Sequence, residues 1–290
     1  MRGTMSAGSR DVENTQQEDR LIQAVLASGV RIPPMPEILL NLNLLLRDDD
    51  AGPRELGGLI GRDGALSGAV FRLAGSPVFG LRAKVDTVEK AVTVLGMRNA
   101  AAVVRSEALR GAMHDPASAR ALEALWTHSA AIADLCTLAL KARPVRGVAT
   151  DTAYTLGMFH DCGLALLCKR IPVYVRALAQ PGVWAEIPAL DASHQTDHGL
   201  LGQMVAKNWL LGEEIILSIR QHHNANAAGL PETVSRLCAL LNFAIHLHNR
   251  RTGADDKAWE SVWKAETGRR LDLDEEELAA WESEVDPLSG

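Results

Sequence analysis

Six of the nine histidines follow one another between residues 128 and 223: His128, His160, His194, His198, His222 and His223. His160 is followed directly by Asp161 in the segment G-M-F-H-D-C-G, which reads as the middle of an otherwise apolar helix. A histidine and an aspartate placed there are costly unless their polar groups find partners. Imidazole and carboxylate are ligands that borderline and hard divalent cations accept, and one carboxylate can bridge two ions. Neighbouring helical positions point about a third of a turn apart, so the pair can converge on one cavity.

His128, in L-W-T-H-S-A, belongs to the preceding long helix, and His222-His223, in I-R-Q-H-H-N, end a later one. His198 opens a helix for which Asp197 or Thr196 serves as the cap. Four packed helices can therefore aim His128, His160, Asp161, His198, His222 and His223 at one point, the geometry of a metal centre in a bundle core. A single histidine on an apolar face is more often satisfied by a backbone carbonyl, and that reading stands for each one taken alone. His194, His246 and His248 read as partly exposed residues.

The elements that must position these side chains are helical throughout. Apolar residues recur at helical spacing from Arg20 onward, first at Leu21, Val25 and Leu26, then at Ile38, Leu39, Leu42, Leu45 and Leu46. Between them R-I-P-P-M-P turns the chain at 31–34, and Pro36 fits a first helical turn. Helices are predicted near 53–61, 65–74, 86–95 and 98–112. A second set is predicted over 117–140, 151–168, 171–180, 198–210, 213–224 and 232–250. The loop G-S-P-V-F-G at 75–80 presents Val78 and Phe79 between glycine stops. Period-two alternation is lacking, so the expected fold class is all-α.

The polar residues 1–17 cannot bury enough apolar surface to order themselves and are expected to form a disordered tail. The acidic stretch 251–290 carries amphipathic segments around Trp259 and Trp263 and around Leu278 and Trp281, expected to pack on the body. Cys136, Cys162, Cys168 and Cys238 sit in apolar segments without CxxC spacing and read as small buried hydrophobes. With 30 Lys and Arg against 36 Asp and Glu, the net charge of −6 removes the basic field of a non-specific nucleic-acid binder. Arg250-Arg251 and Arg269-Arg270 are isolated basic pairs that do not restore it. No apolar run reaches membrane-spanning length and no secretory leader is seen, so a cytoplasmic location is expected.

The order W-x-H-S, H-D-x-G, D-H-x-x-x-G and H-H resembles the HD superfamily of metal-dependent phosphohydrolases. In the first half, I-P-P-M-P-E-I-L-L at 32–40, I-G-R-D-G-A-L-S at 60–67, F-R-L-A-G-S-P-V-F-G at 71–80 and V-E-K-A-V-T-V-L-G at 88–96 narrow this. They resemble the HDOD domain, the HD-related output domain of bacterial signalling proteins. The resemblance implies an HD-like helical bundle at 114–250 behind an N-terminal helical half at 18–113, with 251–290 as a helical tail. It also implies a degenerate HD metal site for Fe, Mn, Zn or Ni, and a regulatory role exercised on a signalling partner or a small, nucleotide-like ligand.

The alternative is hydrolysis of a nucleotide or cyclic dinucleotide. Active enzymes of the related cyclic di-GMP phosphodiesterase branch read H-D-x-G-K, whereas this chain has Leu164 in the lysine position. Their H-H-E and G-Y-P signatures are missing, and the final ligand aspartate aligns with Asn242. A lost carboxylate and a lost cation weaken metal binding and the stabilisation of transition-state charge. The cations left as phosphate contacts are Lys169, Arg170 and Arg220, with solvated surface charge the stronger reading for the first two.

Overall fold

The computed structural model describes residues 29–76, 85–180, 182–226 and 228–285. The tail at 1–17, the helix expected from Arg20 and the Val78-Phe79 loop tip lie outside the described residues. In the first half, α1 (Glu37–Leu45), α2 (Pro53–Ile60), α3 (Gly64–Ala74), α4 (Val88–Leu95) and α5 (Met97–Ala112) pack as a short-helix layer. Local chemistry sets their starts. Asp63 accepts from the amides of Ala65 and Leu66 at 2.8 and 3.1 Å, and Thr87 accepts from Lys90 at 3.2 Å.

The second half is built on α6 (Ala119–Ala142), followed by α7 (Thr150–Phe159), α8 (Gly163–Cys168), α9 (Pro172–Leu178) and α10 (Ile187–His194). It continues with α11 (His198–Asn208), α12 (Glu213–Gln221) and α13 (Glu232–Thr252). Helices α7, α9 and α13 pack around α6, while α5 packs on α7 and joins the halves. Among the described residues there is no strand. All four cysteines are buried and free.

Two glycines set the spacing at the heart of the second half. A Cβ on Gly157 would lie 2.5 Å from Ala133 Cα, and one on Gly163 would lie 2.0 Å from the His198 carbonyl oxygen. Without side chains at these points, α7 can touch α6 and α8 can touch α11, which brings His160, Asp161 and His198 together.

The single helix expected over 151–168 is in fact two. Helix α7 stops at Phe159, the amides of Cys162 and Leu164 bond three residues back to Phe159 and Asp161, and α8 resumes at Gly163. His160-Asp161 therefore sits in a break and not mid-helix. The redirected chain lets Gly163 meet the α11 backbone. A turn at Val183–Glu186 and α10 also occupy a stretch for which the sequence suggested no helix.

After α13, a π-helical turn (Trp259–Trp263), α14 (Lys264–Leu271) and α15 (Glu275–Val285) fold back on the body. Trp281 stacks on Phe243 at 4.1 Å and donates its indole N–H to Ala139 O at 2.9 Å. Buried Arg270 donates to Asn224 O and Ala225 O at 3.2 and 2.7 Å, fixing the loop after His223. His246, expected to be partly exposed, is buried. Its Nδ1 bonds Asp256, its Nε2 lies 3.4 Å from Glu282 Oε1, and Trp259 stacks on the ring at 4.2 Å. His248 is half-buried and His194 exposed.

Two measurements follow from this packing. Gly163→Ala forces a methyl into a backbone and lowers stability by about 3 kcal/mol, whereas Gly58→Ala, in α2 with open space around it, raises it by roughly 0.5 kcal/mol; thermal and denaturant unfolding compare the two. The second concerns His246, where burial opposes the charged form but its hydrogen bonds to the Asp256 and Glu282 carboxylates outweigh it and raise the pKa. A raised folded pKa gives stability that is complete below the unfolded value, about 6.5, and lost as pH rises through the folded value. The stability difference between wild type and His246→Gln, read by tryptophan fluorescence in guanidinium, therefore shrinks between pH 6 and pH 9.

Candidate metal centre

Four segments deliver the cluster: α6 carries His128, the break after α7 carries His160 and Asp161, α11 begins with His198, and His222-His223 follow the last residue of α12. All are buried except His223, whose outer face is exposed. Asp197 caps α11 by accepting from Leu200 N at 2.8 Å, which settles the cap and turns His198 inward.

Three of the imidazoles are held the same way. Nδ1 of His160 lies 2.7 Å from Gly157 O, Nδ1 of His222 lies 2.7 Å from Ile219 O, and Nδ1 of His198 lies 2.6 Å from Asp191 Oδ2. Carbonyl and carboxylate oxygens only accept, so each Nδ1 donates and each neutral ring is left with a lone pair on Nε2. Those Nε2 atoms converge on one carboxylate, at 3.3 Å from Asp161 Oδ2 for His160 and at 3.2 and 3.5 Å from Oδ1 for His198 and His222. They also face one another: His198 Nε2 lies 3.3 Å from His222 Nε2 and 3.1 Å from His223 Nε2. Lone pairs at such distances repel unless a proton or a cation sits among them.

Without a metal, the proton falls to His198. Burial opposes its charge, but Asp161 and Asp191 on its two sides outweigh that and hold its pKa up to about 10. Asp161 is driven well below the usual carboxylate range by its imidazole neighbours, against the effect of burial. His128 is pushed down to about 3, chiefly by burial and then by His160.

The donor atoms form two sets, each with its members within 4.8 Å of one another: Asp161 with His198, His222 and His223, and Asp161 with His128 and His160. The shared carboxylate suits it to stand between two ions. Nitrogen and carboxylate donors, with Nδ1 anchored on second partners, fit a divalent transition metal. His128 is the exception in support: its Nδ1 is buried without a hydrogen-bond partner, and its ring stacks on Trp184 at 3.9 Å.

Sequence reasoning missed Asp191, Tyr174 and Trp184. Asp191, 7% exposed, accepts from the His198 amide at 2.8 Å and the Tyr174 hydroxyl at 2.5 Å. It stands seven residues before His198 with no motif to mark it. Asn242 commits its Nδ2 to His222 O and Cys238 O, both at 2.9 Å, which leaves Oδ1 uncommitted. Leu164 is fully buried. Lys169 and Arg170 line a separate surface cavity with Arg31 and His114, and Arg220 pairs with Asp197 at 3.2 Å.

A buried histidine–aspartate cluster gathered by the helices of an all-α bundle defines a protein of the HD type. The chain belongs to the HDOD domain family, whose pattern matches residues 32–225. A proposed metal-dependent phosphohydrolase from Shewanella amazonensis SB2B has the same fold, with a TM-score of 0.66 over 95% of this chain and 99% of that one at 17% identity. A proposed signal transduction protein from Marinobacter aquaeolei VT8 gives a TM-score of 0.66 over 95% of this chain and 65% of that one at 20% identity. An uncharacterised protein of Treponema pallidum (strain Nichols) is 24% identical over 245 residues, 81% of this chain but 45% of that protein. The chain thus spans less than half the length of this curated relative. Among the described residues no helix is long and apolar enough to cross a membrane.

The flanking carboxylates can be tested in metal-free protein. Asp191→Asn removes one of the two charges beside His198 and lowers its pKa, so the imidazole nitrogen shifts at pH 8 move from the imidazolium to the neutral pattern while wild type stays charged.

Proposed function

We propose that this chain is a regulatory HDOD module that binds a divalent transition metal (Fe, Mn, Zn or Ni) at His128, His160, Asp161, His198, His222 and His223 and does not hydrolyse phosphate esters. The observation that carries the metal assignment is the convergence of Nε2 lone pairs on Asp161 and on one another at 3.1–3.5 Å. A cation there would take the place of the proton on His198 and be held by these donors. Bound there, such a metal would supply Lewis acidity toward a ligand donor.

Three features weigh against hydrolysis. Among the described residues, the cavity beside the cluster has no lysine or arginine in its wall. The position where the phosphodiesterase branch carries a lysine is buried Leu164, and the position of the last carboxylate is Asn242, whose amide is tied to two backbone carbonyls. A phosphoryl group would find the metal but no second positive charge for its developing negative charge. The role that remains is output to a signalling partner, with the metal site coupled to a small ligand. The phosphohydrolase reading keeps one observation in its favour, the sharing of Asp161 between two donor sets.

Protein purified without chelator or nickel affinity resin is expected to carry a transition metal at near-stoichiometric level by plasma mass spectrometry, and His160→Ala/Asp161→Ala to lose it. The loaded protein should leave bis(4-nitrophenyl) phosphate intact. Metal absent from wild type and after reconstitution with each of the four ions sinks the metal assignment. Turnover abolished by the double substitution sinks the non-hydrolytic one.

A further inference from the structure

A cavity of about 100 Å³ lies beside the cluster, and part of its wall comes from residues beyond the stretch 32–225 that matches the family. The wall includes Trp184, Trp259 and Trp263, together with Asn242, Asn249 and Asp255. Each indole is backed on one face: Trp184 by the His128 ring at 3.9 Å, Trp259 by the His246 ring at 4.2 Å, and Trp263 by the Arg270 guanidinium at 5.0 Å. These partners are themselves buried, so the aromatic surfaces are fixed before anything enters, and little ordering entropy is lost on binding.

Beside the indole N–H groups and the cluster imidazoles, the polar atoms of the wall are acceptors. Asn242 has spent its Nδ2 on two carbonyls, and Asn249 donates its own to Asp256 Oδ1 at 3.0 Å. Each asparagine is left with an uncommitted Oδ1. Asp255 adds a carboxylate, paired on the solvent side with Lys257, whose side chain is 89% exposed. Among the described residues the wall holds no lysine or arginine, so in the chelated protein a phosphate or carboxylate group meets no cationic side chain there that offsets its desolvation. With metal bound, an organic cation is disfavoured instead, since the wall also includes His128, His160 and Asp161, where a dication would sit.

We infer that this cavity binds a flat, uncharged, single-ring heterocycle bearing N–H donors, stacked against the indoles and hydrogen-bonded to Asn242 and Asn249. Size limits the ligand to a single ring: a buried apolar cavity of about 150 Å³ accepts benzene, and this one, at about 100 Å³ though partly open, is smaller. A ring with a nitrogen or oxygen lone pair can also reach the metal position, which gives the ligand-coupled output proposed above its chemical class. The inference rests on that reading for its role and not for binding itself, because the wall is present with or without metal.

Uracil is the probe, a neutral ring with two N–H donors. Calorimetry of the full chain, chelated and metal-loaded, should show saturable one-to-one uracil binding, with uridine monophosphate at least tenfold weaker in the chelated protein and tetramethylammonium undetected in the loaded protein. In indole N–H spectra the signals of Trp184, Trp259 and Trp263 should move while those of Trp126, Trp209 and Trp281 stay in place. Trp184→Leu, checked for fold by circular dichroism, should weaken uracil at least tenfold. If that variant fails to fold, the wild-type indole spectra decide alone. The inference is overturned if uracil does not bind in either state, if the nucleotide binds the chelated protein or the cation the loaded protein as well as uracil does, or if the other three indoles are the ones that move. Metal uptake without uracil binding removes this inference and leaves the metal reading intact; uracil bound only without metal separates the two sites and ends the proposed coupling.

Discussion

The Asp161 carboxylate, 6% exposed and ringed by Nε2 atoms of three imidazoles, is the constraint from which much of the second half can be read. An isolated charge at that depth would cost several kcal/mol, so the surrounding fold exists in a form that answers it. Two helix pairs approach to backbone contact at Gly157 and Gly163 so that imidazoles from α7 and α11 reach the same carboxylate. The break between α7 and α8 turns Asp161 into the group they share. Asp191 then supplies a second charge on the far side of His198, and the proton or cation between them is held from both directions.

Much of this was legible in the sequence, for identifiable reasons. Helices with strong punctuation could be placed closely: the Pro33-Pro34 pair precedes α1, and Gly75, a glycine stop of the 75–80 loop, ends α3. The histidine order pointed to one cluster because each histidine sits near a helix end or on a long apolar helix, where position follows from period. The break at His160–Cys162 was not legible, since its cause is the contact of Gly163 with a chain segment 35 residues later, and local pattern cannot express that. Asp191 and Trp184 were missed for the same kind of reason. They belong to a short turn and helix without a clear apolar stripe, and their partners, His198 and His128, lie on other elements. His246 was misread because its burial comes from the tail, whose docking brings Asp256, Glu282 and Trp259 around it.

The distribution of positive charge separates holding a metal from using it. Lys169 and Arg170 line a different cavity, Arg220 faces Asp197, and Arg270 is spent on the carbonyls after His223. Among the described residues, the surroundings of the cluster therefore supply orientation and no lysine or arginine aimed at the cavity. Substituting one residue would not reverse this, because Leu164 is packed in the core and a lysine there would have to bury its ammonium or displace α8.

Ligand choice is then set partly outside the common domain. The histidines and Asp161 come from residues within the family match, while Asn242, Asn249, Asp255, Trp259 and Trp263 come from α13 and the turn beyond it. The tail that supplies them is fastened independently, through Trp281 on α6 and Arg270 on the loop after His223. Any movement of that loop changes the position of His222-His223 and of the tail at once. A ligand resting on Trp259 and Trp263 would thereby be connected mechanically to the imidazoles of the cluster.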